Sequence, residues 1–133
     1  MTVSGAMVLA AGLGTRLAPL TDELPKPLCP VGDRAQLEWV LARLAAGGFE
    51  RAVVNTHHLA GAFDEAFLVR QPLGVTLSHE PEILGTAGGV AHATAKLGPG
   101  DALVWNADVL CAPDLGALLA ESGEIALSVD KSQ

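Results

Sequence analysis

Apolar and polar positions along this chain switch between two periods. Residues 6–10 form a short, uninterrupted apolar run, as expected of a strand covered on both faces. Leu37, Val40, Leu41, Leu44 and Ala45 then recur at helical spacing, and Gly47-Gly48 predicts where that helix stops. Residues 51–55 read as a second strand. Leu59, Ala62, Phe63, Ala66 and Phe67 repeat the helical stripe and predict a second helix. Residues 75–79, 102–106 and 125–129 read as three further strands. Between them, residues 85–97 predict a loop entering a helix with Val90, Thr94 and Leu97 on one side, and residues 114–120 a short helix. Strands separated by single helices need right-handed crossovers, so the pattern predicts an α/β, Rossmann-like architecture with a mostly parallel sheet.

Length and composition narrow this picture. The chain has 133 residues, half of them hydrophobic and only 17% charged, enough for one folded domain with a real core. Its formal net charge is −7. Residues 1–34 are neutral, with Arg16, Lys26 and Arg34 against Asp22, Glu23 and Asp33; the remainder carries the acidic excess. No basic face is visible that could displace counterions from a polynucleotide, which argues against nucleic acid as partner. A small polyanion accompanied by a divalent metal stays compatible, because the metal brings its own positive charge.

Cys29 and Cys111 follow no metal-ligand spacing and read as two buried or half-buried thiols of a reducing compartment. No basic stretch precedes an apolar run at the N-terminus, and no apolar segment reaches the ~20 residues of a membrane span. The expectation is a cytoplasmic protein without membrane attachment. The chain stops at Gln133 directly after an expected strand. An open sheet left that way has an uncovered edge, so either self-association or a longer parent chain is expected.

The longest Gly/Pro-punctuated stretch, LAAGLGTRLAPLTDELPKPLCPVG from Leu9 to Gly32, follows the first expected strand. Ligands of open α/β sheets bind beyond the carboxyl ends of the strands, where this stretch lies. Gly12 and Gly14 allow close backbone approach, and Arg16 and Lys26 supply the cations that phosphate charge requires. A dinucleotide fingerprint wants a third glycine where Leu17 stands and a helix that Pro19, Pro25, Pro27 and Pro30 forbid. A phosphate-binding P-loop wants a Gly-Lys-Ser/Thr ending, which is absent. A plain connecting loop remains the alternative for any lone Gly-x-Gly. The joint occurrence of GLGTR, the prolines and Lys26 sets this stretch apart.

That string resembles the signature of the sugar-1-phosphate nucleotidyltransferases, GxGTRL-xPLT-xxx-PKPL-xPV, with Cys29 at a variable position. The likeness continues in VNTHHLAGAFDEAF, in LGTAGGV, which resembles the family's nucleobase loop, and in VWNADVL, which resembles a strand ending in a metal-binding Asp. Within the superfamily it runs toward mannose-1-phosphate guanylyltransferases and N-acetylmuramate-1-phosphate uridylyltransferases. The resemblance implies a Rossmann-like three-layer sandwich of the nucleotide-diphospho-sugar transferase type, of which residues 1–133 would be the nucleotide-binding N-terminal part. It implies a nucleotidyl transfer from a nucleoside triphosphate, GTP or UTP foremost, to a sugar-1-phosphate with Mg²⁺.

Residue by residue, the resemblance implies that Arg16 stabilises the triphosphate and the leaving pyrophosphate, and that Lys26 offsets repulsion between the two phosphates. Asp108 would hold the metal, or else form a turn. Leu9, Ala10, Ala11, Gly12, Gly14 and Thr15 would lie against the nucleotide, with residues 7–11 packed beneath it. Gly85, Thr86, Gly88 and Gly89 would let a planar base approach the backbone. Glu80 would read the base edge or remain a solvated carboxylate, and Asn106 would touch the ribose or serve a turn. The four histidines have no ligand spacing and read as packing, capping or surface residues, and Trp39 and Trp105 as core or interface. A non-catalytic nucleotide-binding or interaction module is the competing reading, since the family's second half, with its sugar site and second metal-binding Asp, does not follow in this chain.

Overall fold

The computed structural model of the chain describes residues 3–121 and 126. Four parallel strands make the main sheet: β1 (Val3–Leu9), β4 (Arg51–Thr56), β5 (Gly74–His79) and β6 (Asp101–Asn106), in the order β5-β4-β1-β6. A two-stranded antiparallel ribbon, β2 (Pro30–Val31) with β3 (Arg34–Ala35), stands apart. The helices are α1 (Leu20–Glu23), α2 (Gln36–Ala46), α3 (Glu65–Val69), α4 (Gly85–Leu97) and α5 (Leu115–Ala120).

The period-two sorting of the strands builds three layers. Ala6 and Val8 of β1, with Ala52 and Val54 of β4, meet Leu37, Val40, Leu41 and Leu44 of α2 on one face. Met7 and Val53 point the other way, onto Ala93 and Leu97 of α4. Each fully buried Leu or Val contributes about 1.5–3 kcal/mol, so the α2 stripe is a main support of the sheet. Phe63, Phe67 and Leu115 join the α2 side, and among the described residues α4 is the helix on the opposite face.

Several expectations meet the structure directly. α2 ends at Gly47, and the Glu38 carboxylate accepts from the Ala35 N–H at 2.8 Å at its start. The stripe from Leu59 to Phe67 is not one helix. Leu59 adopts φ +49° and only a single 3-10 turn, Ala60–Ala62, follows. Asp64 then caps a new helix, its Oδ1 accepting from the Phe67 N–H at 2.8 Å. A stretch of helical spacing is therefore divided by the residue best suited to begin a helix. Residues 85–97, expected as a loop entering a helix, are helical from Gly85 on, and the loop lies before them. The β2–β3 ribbon was not foreseen; Gly32, at φ +71°, turns it. The strand expected over residues 125–129 lies, but for Ala126, outside the described residues, as does the side chain of Thr94.

The chain steps outward from β1 to β4 and β5, then returns to the far side of β1 as β6. Such a reversal opens a crevice at the carboxyl ends of the strands. It lies here beyond β1 and β6.

Candidate functional site

The stretch leaving β1 is anchored at every turn. The Ala10 N–H donates to Asn55 Oδ1 at 2.6 Å. Gly14 sits at φ +64°, and its carbonyl accepts from the buried Thr21 hydroxyl at 2.7 Å. A 3-10 turn, Thr15–Leu17, follows, and Arg16 stands exposed on it. The ring of His58 bonds the Thr21 carbonyl, tying α1 to the end of β4. Prolines thus shape this stretch as expected, and four residues of α1 are the only α-helix in it. Lys26 opens a second 3-10 turn and stays half-exposed between the buried Pro25 and Pro27.

Across the crevice, the residues after β6 come back to meet this loop. The Ala107 N–H donates to the Leu9 carbonyl at 3.0 Å, and the Val109 N–H closes a turn onto the Asn106 carbonyl at 3.1 Å. Asp108 is carried on that turn, and its Oδ2 lies 2.8 Å from Lys26 Nζ. Both partners keep solvent contact, with side-chain exposures of 33% and 49%. An ion pair this open stabilises the fold by no more than about 1 kcal/mol and can exchange partners easily.

The third wall comes from the end of β5. Glu80 is 0% exposed, so the solvated-carboxylate alternative is overturned. Its Oε1 accepts from Asn55 Nδ2 at 2.8 Å and its Oε2 from the Leu84 N–H at 3.1 Å. Its main chain is held too, the N–H donating to the Thr56 carbonyl at 2.8 Å and the carbonyl lying 2.6 Å from His57 Nδ1. Beyond it, Gly85 and Thr86 bring the start of α4 to the crevice, where the first N–H groups of a helix have no partner within it.

These walls enclose a cleft of about 500 Å³. Leu9, Ala10, Ala11, Gly12, Gly14, Thr15, Arg16, Lys26, Glu80, Gly85, Thr86, Asn106 and Asp108 all line it. Most residues singled out in the sequence as catalytic, nucleotide-binding or metal-binding thus line one concavity. Met7 and Val8 do not; they are wholly buried in the two cores. Gly88 and Gly89 lie within α4 and serve its packing, since an added Cβ would fall 2.8 Å from Leu84 Cβ or 2.7 Å from Asn55 Nδ2. Asn55 and Gln36 line the cleft without having been singled out. The Gln36 Oε1 atom is buried without a protein partner. Asn55 sat inside VNTHHL as an ordinary strand-end residue; its position at the end of an expected strand was the only available signal, and burial is a tertiary property.

The remaining polar residues fall where packing puts them. His57 and His58 diverge, one to the Glu80 carbonyl and the other to that of Thr21. Trp105 is buried, while Trp39 lies half-exposed under Arg34, whose guanidinium carbon sits 4.5 Å from the ring centroid. Cys29 is a buried free thiol, and burial pushes it above its ordinary pKa against a smaller opposite pull from Lys26. Cys111 is exposed, contrary to the expectation that both thiols are at least half-buried. Among the described residues no group of three or more His, Cys, Asp or Glu side chains gathers to hold a metal, and no helix is long and apolar enough to cross a membrane.

The sequence profile of the family described as nucleotidyl transferase matches residues 5–129. The chain is 42% identical over 117 residues to the N-acetylmuramate alpha-1-phosphate uridylyltransferase of Caulobacter vibrioides, covering 84% of this chain and 48% of that protein. It is 40% identical over 116 residues to the mannose-1-phosphate guanylyltransferase of Mycobacterium tuberculosis, covering 86% of this chain and 32% of that protein. Among solved structures, HddC from Yersinia pseudotuberculosis complexed with GMP-PN superposes with a TM-score of 0.76 at 26% identity, covering 86% of this chain and 52% of that one. The chain therefore spans about half the length of these relatives, or less.

Proposed function

The chain belongs to the nucleotidyl transferase family, and from that premise we propose that its cleft binds a nucleoside triphosphate for transfer of the nucleotidyl group to a sugar-1-phosphate. One observation carries the reading. The cations Arg16 and Lys26, the Gly-rich backbone of residues 11–14, the start of α4 and Asp108 all face one cleft at the reversal point of a parallel sheet. GTP or UTP is the donor, in line with the uridylyl and guanylyl transfer of the two relatives above. No polynucleotide or membrane is required, in keeping with the net charge of −7.

In this reaction an oxygen of the sugar phosphate attacks the α-phosphorus. The bond from that phosphorus to the bridging oxygen breaks, and pyrophosphate leaves with the electron pair. The attacking phosphate is already ionised, so no general base is needed; charge and orientation dominate the barrier. Lys26 offsets the repulsion between the two approaching anions, and Arg16 takes up charge on the leaving pyrophosphate. The residues present fit a hard divalent cation such as Mg²⁺: Asp108 offers a half-exposed carboxylate at the cleft, and such ions take one or two carboxylates and complete their shell from phosphates and water. When bound, that ion supplies positive charge at the reacting phosphates. Lys26, paired with Asp108 at 2.8 Å, would be available to phosphate where that carboxylate holds the cation instead.

The test is pyrophosphate release from a panel of nucleoside triphosphates and sugar-1-phosphates with Mg²⁺. Turnover with a guanine or uracil nucleotide that vanishes in Arg16→Ala is the expected result. Nucleotide binding without turnover favours the second reading, a binding module. Absence of any nucleotide binding overturns both.

A further inference from the structure

Asn55 is buried, with 2% exposure, at the point where β1, β4 and β5 end together. Its carboxamide uses both of its ends. Oδ1 takes the Ala10 N–H at 2.6 Å, and Nδ2 gives to Glu80 Oε1 at 2.8 Å. The other Glu80 oxygen takes the Leu84 N–H at 3.1 Å. One relay therefore runs from the Gly-rich loop, through two buried side chains, to the loop that leads into α4. It joins opposite walls of the cleft. Gly89 closes over it: an added Cβ would stand 2.7 Å from Asn55 Nδ2 and 2.8 Å from Glu80 Oε1, and neither atom can withdraw without breaking the relay.

We infer that Asn55, acting through Glu80, is a positioning residue that sets the spacing of the two walls between which a nucleobase lies, and so sets base selectivity. This rests on the nucleotide reading proposed above. Because Glu80 is 0% exposed with both oxygens engaged, it acts on the base by holding the Leu84 end of the loop. At the phosphate end Arg16 and Lys26 have additional anchors, the Thr21 bond to the Gly14 carbonyl and the Lys26–Asp108 pair. Selectivity for the base and affinity for phosphate are therefore separable in this chain.

The relay has a strict donor and acceptor order, which gives a test by reversal. In Asn55→Asp an acceptor faces the Glu80 acceptor. In Glu80→Gln the new amide meets a donor whichever way it turns, because both of its neighbours donate. In the double variant, N55D with E80Q, the order is restored: the new carboxylate accepts from Ala10 and from the new amide, whose oxygen accepts from Leu84. Binding of the four common nucleoside triphosphates and of inorganic tripolyphosphate is measured by calorimetry on the whole chain, with melting temperatures alongside.

Each single variant is expected to lose about tenfold or more in affinity for the preferred nucleotide, with the four affinities drawing together, while tripolyphosphate binds within about twofold of normal. The double variant recovers most of the selectivity. Singles that keep full selectivity, or a double no better than the two singles combined, overturn the inference and leave the nucleotide reading standing. A chain that binds tripolyphosphate but no nucleotide sinks the reading beneath it. Should a single variant fail to fold, the double variant decides alone: restored selectivity supports the relay, and its absence refutes it.

Discussion

Gly12 and Gly14 stand two residues apart in the same loop, yet alanine should act on them in opposite ways. At position 14 the backbone has φ +64°, where a side chain costs about 1–2 kcal/mol. The added methyl would also lie 2.9 Å from Thr21 Cγ2 and 3.1 Å from Lys26 Cβ. Thr21 is 2% exposed and bonded to the Gly14 carbonyl at 2.7 Å, so its retreat breaks that bond, worth about 1 kcal/mol. Gly14→Ala should therefore cost about 2–3 kcal/mol, or roughly 7–12 °C in melting temperature for a domain of this size. Gly12 carries neither constraint: its φ is not positive, and an added Cβ meets no protein atom within 4 Å. Gly12→Ala should leave stability within about 0.5 kcal/mol, but place a methyl group in the cleft and weaken nucleotide binding about tenfold or more. Circular dichroism melting and calorimetric titration with a nucleoside triphosphate measure the two effects. Normal melting of Gly14→Ala would refute the steric argument, and normal binding by Gly12→Ala would refute the view that this glycine is kept for a ligand.

Three further outcomes follow from the same geometry. Lys26→Met should change stability by less than about 1 kcal/mol, because its ion pair with Asp108 is solvent-exposed, while affinity for tripolyphosphate falls clearly; equal affinity would remove Lys26 from the site. Burial pushes the Glu38 carboxyl up, but the bonds from the Ala35 N–H and Gln71 and the nearby Arg70 outweigh it and hold the group below its usual pKa. Its stabilising effect is then complete above the unfolded value near ~4.3 and is lost as pH falls through the lower folded value. Melting curves of the chain and of Glu38→Gln should accordingly differ at neutral pH and converge in acid, and parallel curves at all pH values would contradict this. Iodoacetamide at mild pH should modify the exposed Cys111 well before the buried Cys29, whose thiol is shifted upward by burial; mass spectrometry showing equal rates would count against the packing around Cys29.

Local signals carried much of this architecture. The α2 stripe and its glycine stop, the four described strands of the main sheet and the cation-bearing loop were legible because each depends on neighbours within a few residues. Helical spacing misled only where Asp64, a better helix start than a helix interior, divided the stripe. The convergence of residues 9–16 with Lys26 was also local in origin, since prolines and glycines confine that loop whatever surrounds it.

What lies between distant segments was decided by the fold. Asn55 meets Glu80 across 25 residues, and Lys26 meets Asp108 across 82, because parallel pairing in the order β5-β4-β1-β6 brings strand ends together. No periodicity encodes that register. In the sequence Glu80 reads either as a group for the base edge or as a carboxylate left in water, since burying a charge is costly. Two donors, one from another strand and one from its own loop, reverse that balance, and only three-dimensional packing supplies them together. A chain's local chemistry chooses its elements and its reactive loop, but which side chains face each other across a cleft depends on strand order and register.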